Sequence, residues 1–108
     1  MTTELGEENT KLLVLARGAL ARTESGEGAA VRDLDGRSYA AGATRLNSLT
    51  LTALQGAVAV AVSSGARGFE AAVVVGGDHT DPGVAALREL SAEATLVFAR
   101  PDGSVIEE

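Results

Sequence analysis

The sequence contains no cysteine and no tryptophan among its 108 residues, and it has two prolines and one histidine. Without cysteine there is no disulfide, no thiolate metal site and no thiol nucleophile. The aromatic side chains are Tyr39, Phe69 and Phe98. That is too few to build the stacking platform of a single-strand nucleic-acid binder. Basic residues number nine against fifteen acidic ones, a formal net charge of −6, and they are scattered. No nucleic-acid partner is therefore expected, since phosphate binding needs a clustered basic surface. No apolar run reaches the roughly 18 residues of a membrane span, so no membrane association is expected. The opening MTTELGEENT is polar and acidic, which argues against a secretory or transit peptide. The expected setting is the cytoplasm.

What is present centres on Asn47–Ser64, NSLTLTALQGAVAVAVSS, the longest apolar stretch. Leu51, Leu54, Val58 and Ala61/Val62 recur at helical spacing. Ala53, Ala57, Ala59 and Val60 fill the other faces, which predicts a helix covered on several sides. Asn47, Ser48 or Thr50 can supply its N-cap oxygen, and Gly65 suits a left-handed end. The Val/Ala alternation also fits a buried strand, but the length and alanine content favour helix.

The flanking chain reads as one domain, residues 10–108, after a loosely attached lead-in over residues 1–9. A first helix is predicted from about Thr10 to Arg22, with Leu12, Leu13, Ala16 and Leu20 on one side. Ala29–Arg32 and Arg37–Ala41 form a hairpin about Asp33-Leu34-Asp35-Gly36. Residues 42–46 lead into the central helix. Ala71–Val75 reads as an inner strand, apolar throughout. The loop Gly76–Asp81 precedes a helix with Asp81 as N-cap, Pro82 at the first helical position, and Val84, Leu87 and Leu90 inward. Thr95–Ala99 is a further strand, and Pro101-Asp102-Gly103 turns into a short extra one at Ser104–Ile106. This order predicts a three-layer α/β/α sandwich around a mixed sheet of four to five strands, with right-handed crossovers. No internal repeat or second domain is visible.

These landmarks, from about Thr10 to Val105, resemble the small cytidine deaminases. In that family a Gly-Ala-Ala strand leads to an Asp-Gly-Arg turn, matched by Gly28-Ala29-Ala30 and Asp35-Gly36-Arg37. A Thr-Leu-Cys-Ala-Glu helix opening is matched by Thr50-Leu51-Thr52-Ala53-Leu54, with the continuation Ser64–Val75. The family's Pro-Cys-x-x-Cys falls on Pro82-Gly83-Val84-Ala85-Ala86, and the terminal turn on Asp102-Gly103. Zinc deaminases hold their metal through one His or Cys on one helix and two Cys on the next, with a glutamate moving protons. Carried over, the resemblance places the ligand positions at Thr52, Gly83 and Ala86 and the proton shuttle at Leu54. It further places the ribose-gripping Asn-x-Glu in a shortened segment near Thr44-Arg45-Leu46, and the Phe that faces the base at Ser25. None of these side chains does the family's chemistry. The resemblance implies the scaffold without the activity and with no cofactor.

Other candidates each have a plainer reading. Gly76-Gly77-Asp78-His79 lies between a strand and a helix, where backbone N–H groups can hold an anion. With Thr52 it would form a vestigial pocket. It also fits a glycine-rich turn, and Asp78 and Asp81 would repel an anion. His79 suits an exposed loop better than a metal site. Asp33 and Asp35 suit turn chemistry better than acid–base work. The hydroxyls of Ser48, Thr50 and Thr52 suit capping, since no histidine stands where a triad needs one. Glu4, Glu7 and Glu8 read as a solvated tail. Two functions follow. One is a non-catalytic protein acting as a homo-oligomer, dimer or tetramer, or with an unknown protein partner. The other is a hydrolase or a nucleoside- or nucleotide-binding relative with a reduced pocket.

Overall fold

The computed structural model of the chain describes residues 5–106. The first helix, α1 (Gly6–Thr23), starts earlier than its apolar spacing predicts, because Glu7 and Glu8 occupy its first turn. Carboxylates there complement the helix dipole, as Arg22 does in the last turn. Glu4 lies outside the described residues. The helix buries Leu12, Ala16 and Ala19.

Strands β1 (Gly28–Asp33) and β2 (Ser38–Gly42) form the predicted hairpin, with Val31 opposite Tyr39. Gly36 takes φ 87°, which the turn requires. Asp33 is 1% exposed and holds the turn. Its Oδ1 accepts the N–H of Asp35 and of Arg37, both at 2.9 Å, and its Oδ2 accepts the Tyr39 hydroxyl at 3.1 Å. Burial pushes its carboxyl up, but these donors and the Arg37 charge outweigh that and hold it below the usual range. Asp33 is a structural residue.

The segment before the central helix departs from expectation. Thr44–Arg45 (β3) and Thr50–Leu51 (β4) pair as a small antiparallel ribbon, so the helix does not begin near Asn47. Helix α2 spans Ala53–Ser63, and Thr52 is its cap in place of Asn47, Ser48 or Thr50. The Thr52 hydroxyl accepts the Gln55 N–H at 3.1 Å, and Gln55 Oε1 accepts the Thr52 N–H at 2.9 Å. This reciprocal pair is a capping box. Gly65 follows the helix at φ 104°. Nor is α2 covered all round, since Val60 and Val62 are 46% and 45% exposed.

Strand β5 (Phe69–Val75), helix α3 (Gly83–Leu90) and strand β6 (Thr95–Ala99) complete the fold. The sheet order is β2-β1-β5-β6, with β5 antiparallel to β1 and parallel to β6. Alternate residues serve the two faces. Ala30, Val73, Val75 and Ala99 meet Leu12 and Ala16 of α1, while Ala29, Val31, Ala72 and Val74 meet Leu54, Val58 and Leu87 of α2 and α3. That is the predicted α/β/α sandwich. Leu90 is 42% exposed, not inward, because α3 ends there. The tail folds back on the outer edge of β6. Val105 bridges to Ala99, and the Ile106 N–H reaches the Phe98 carbonyl at 2.8 Å. No helix among the described residues is long and apolar enough to cross a membrane.

Candidate functional site

A cleft of about 310 Å³ opens where the start of α2 meets the β5–α3 loop. Its lining is Glu27, Thr52, Gly76, Gly77, Asp78, Thr80, Asp81 and Pro82. The structure thus brings together Thr52, Gly76, Gly77 and Asp78 of the expected pocket. His79 is exposed and not part of the lining. Gly76 is there because the Gly26 carbonyl comes close, at 2.2 Å from where a Cβ would stand. That contact seats the loop against the start of β1.

The polar groups of the cleft are engaged with one another. Asp81 Oδ1 accepts the Thr52 hydroxyl at 2.7 Å and the Gly83 N–H at 2.7 Å. Asp81 therefore acts as the expected cap of α3, although regular helix geometry starts at Gly83. Asp78 accepts the hydroxyl and the N–H of Thr80, and these bonds hold its carboxyl below the usual range. Glu27 Oε1 accepts the Ala53 N–H at 2.7 Å, so it satisfies an otherwise free donor at the start of α2. Arg45 Nη2 lies 3.6 Å from its Oε2. Sequence reasoning missed Glu27 and Thr80. Glu27 had one signal, its place beside Ser25, where the resemblance puts a base-facing residue. Ser25 itself is a loop tie, donating to the Glu27 carbonyl and accepting the Ala43 N–H. Thr50 donates to the Leu46 carbonyl.

The zinc of the resembling enzymes does not fit the residues present. Of Thr52, Gly83 and Ala86, only Thr52 has a side-chain donor atom, and its hydroxyl is already bonded to Gln55 and Asp81. Leu54, at the shuttle position, is fully buried. A Cβ placed on Gly83 would stand 2.8 Å from both Cβ and Cγ of Leu54 and 2.9 Å from the Gln55 nitrogen. Among the described residues no three His, Cys, Asp or Glu side chains are grouped to hold a metal.

A three-layer sandwich of this order, with a cleft between the start of one helix and the loop before the next, defines a class of α/β domain. The family profile "Cytidine deaminase-like" matches residues 5–103, and the chain belongs to that family. Three solved structures share the fold. The cytidine deaminase from Burkholderia pseudomallei is 23% identical over 90% of this chain and 88% of its own, with a TM-score of 0.74. That from Mycobacterium leprae is 18% identical over 90% of each chain, with a TM-score of 0.68. A point mutant of the Mycobacterium tuberculosis cytidine deaminase is 25% identical over 82% of each, with a TM-score of 0.65. No curated protein sequence matches.

Proposed function

We propose that this chain is a zinc-free, non-catalytic member of its family, a cytoplasmic pseudoenzyme that works by binding to copies of itself. The observation that carries the reading is the chemistry at the expected metal positions. A bonded hydroxyl (Thr52), a bare backbone (Gly83), a methyl (Ala86) and a buried isobutyl group (Leu54) stand where sulfur and carboxylate would. Without a metal, water keeps a pKa far above neutrality and is a poor nucleophile. The outward face of α2, with Val60 and Val62, supports self-association, because apolar side chains at a helix surface gain by being covered. The test is metal analysis and a cytidine turnover assay on the purified protein, beside sedimentation velocity at micromolar concentration. The expected result is no stoichiometric zinc, no uridine and a dimer or tetramer. One tightly held zinc per chain, or conversion of cytidine to uridine, overturns the non-catalytic reading. A monomer alone overturns the association.

The cleft supports a second reading, a small-ligand site. Glu27, Asp78 and Asp81 line it, so a neutral nucleoside suits it better than a nucleotide, whose phosphate they would repel. A ligand at a hundred times its Kd stabilises the folded chain by about 2.7 kcal/mol, which thermal-shift screening detects. Shifts by nucleosides and none by nucleotides are the expected pattern.

A further inference from the structure

We infer that a side-chain clasp, Thr52 to Asp81 to Gly83, joins the starts of α2 and α3 where a metal would otherwise join them, and that the two helices stand too close for any side chain to return at position 83. The inference deepens the zinc-free reading and rests on it.

The clasp is continuous. The Gln55 N–H donates to the Thr52 hydroxyl, that hydroxyl donates to Asp81 Oδ1, and the Gly83 N–H donates to the same oxygen. Two bonds of 2.7 Å to one carboxylate oxygen are charge-assisted and so of the stronger kind. The carboxylate also stands just before the first turn of α3, at the end where the helix dipole favours an anion. Glu27 does the same for α2 through the Ala53 N–H. The chain's own anions thus occupy both helix starts.

The close approach of the helices is a separate fact with its own consequence. Real Cβ atoms essentially never come within 3.0 Å of other heavy atoms, and a Cβ at Gly83 would do so with three. Leu54 Cγ can swing aside. Leu54 Cβ and the Gln55 nitrogen belong to the frame of α2 and cannot. Any residue but glycine therefore requires α3 to move away from α2. That movement would stretch the hydrogen bonds between Thr52, Asp81 and Gly83. Loss of donor atoms and closure of the space are thus two barriers to metal, and only the first is undone by replacing side chains.

The test uses the full chain. Thr52→Cys/Ala86→Cys keeps Gly83, and Thr52→Cys/Gly83→Cys/Ala86→Cys completes a three-thiolate set. The triple variant is expected to melt about 8 °C or more below the double. Cobalt(II) is expected to give it no thiolate charge-transfer band at one ion per chain. Gly83→Ala alone is expected to lower Tm by a similar amount, and to do so in a Leu54→Ala background as well, because the Cβ of residue 54 and the Gln55 nitrogen remain. A triple variant that melts with the double and takes up one cobalt with a thiolate band overturns the closure. The clasp is read from Thr52→Val, Asp81→Ala and their combination. The double loss is expected to fall short of the sum, because one hydrogen bond is shared. Additive losses overturn the clasp. Zinc or turnover in the unaltered protein would sink the zinc-free reading while leaving the Gly83 and Thr52–Asp81 results to stand or fall alone.

Discussion

One substitution made at two glycines should give opposite results. Gly28 opens β1 beneath α1, and a Cβ there would stand 2.1 Å from the Ala16 carbonyl oxygen and 2.7 Å from the Leu20 nitrogen. Both atoms belong to the helix backbone, so no rotamer change relieves the contact. Ordinary van der Waals separation requires α1 to lift by roughly 1 Å or more. The interface it would leave is built from small side chains, Ala16, Ala30, Ala71 and Ala99 among them, which fit only at close range. Overpacking typically costs about 1–3 kcal/mol, and backbone contacts this short put Gly28→Ala at the upper end. A domain of this size has about 5–15 kcal/mol in all, so the variant should fold and melt about 8–20 °C lower. Gly18 lies inside α1, and a Cβ there meets only the flexible Arg22 Nη1 at 3.4 Å. Gly18→Ala should stabilise by about 0.5–1 kcal/mol, the ordinary gain from removing glycine inside a helix. Thermal unfolding by far-UV circular dichroism, checked by urea midpoints at unchanged slope, reads both. If Gly28→Ala melts within about 2 °C of the parent, the packing of α1 on the sheet has been misjudged.

Three further outcomes are expected. The carboxyl of Asp33 is held below its ordinary value of 3.8, so its stabilisation is present above that value and is lost as pH falls through the lower folded one. Urea midpoints of the parent should therefore fall further on acidification than those of Asp33→Asn, and parallel curves would contradict this. Val60→Glu with Val62→Lys should shift sedimentation towards monomer while far-UV dichroism is unchanged. An unaltered assembly would place the contact elsewhere. Glu27→Ala removes the acceptor of the Ala53 N–H and should cost about 1 kcal/mol, with faster amide exchange confined to the first turn of α2. No change in exchange there would mean that water replaces the carboxylate without loss.

The elements that read well from the sequence carry local signals. Asp35-Gly36 marks a hairpin, the apolar run ending at Val75 marks an inner strand, and Pro82 marks a helix start. The ribbon of Thr44–Arg45 and Thr50–Leu51 was not legible, because strands of two residues show no alternation. Its turn is Asn47-Ser48, closed by bonds between Leu46 and Leu49, and those two polar residues fit a helix cap as well as a turn. The cap of α2 was misplaced among Asn47, Ser48 and Thr50, although Thr52 with Gln55 three residues on is the capping-box pattern. In the cleft, loop position identified Gly76, Gly77 and Asp78 but not that His79 stands outside the lining. Glu27 carried a signal only in its place beside Ser25, and its bond to Ala53, 26 residues away, is made by the fold alone. That Gly83 and Ala86 carry no metal-donor atom was visible in the letters. The distance between Leu54 and Gly83 was not.

The tail folded against β6 limits how copies of this chain can join through their sheets. The Ile106 N–H takes up the Phe98 carbonyl and the Ser104 carbonyl takes up the Arg100 N–H on that side, which sets Val105 opposite Ala99. The tail thus blocks the last residues of β6, and β2 forms the opposite margin of the sheet. A sheet open on both margins can add subunits without end, whereas one with a single free margin closes after two copies meet around a twofold axis. Pairing through β2 alone would stop at a dimer, and a strand added along the full length of β6 would first have to peel the tail from its end.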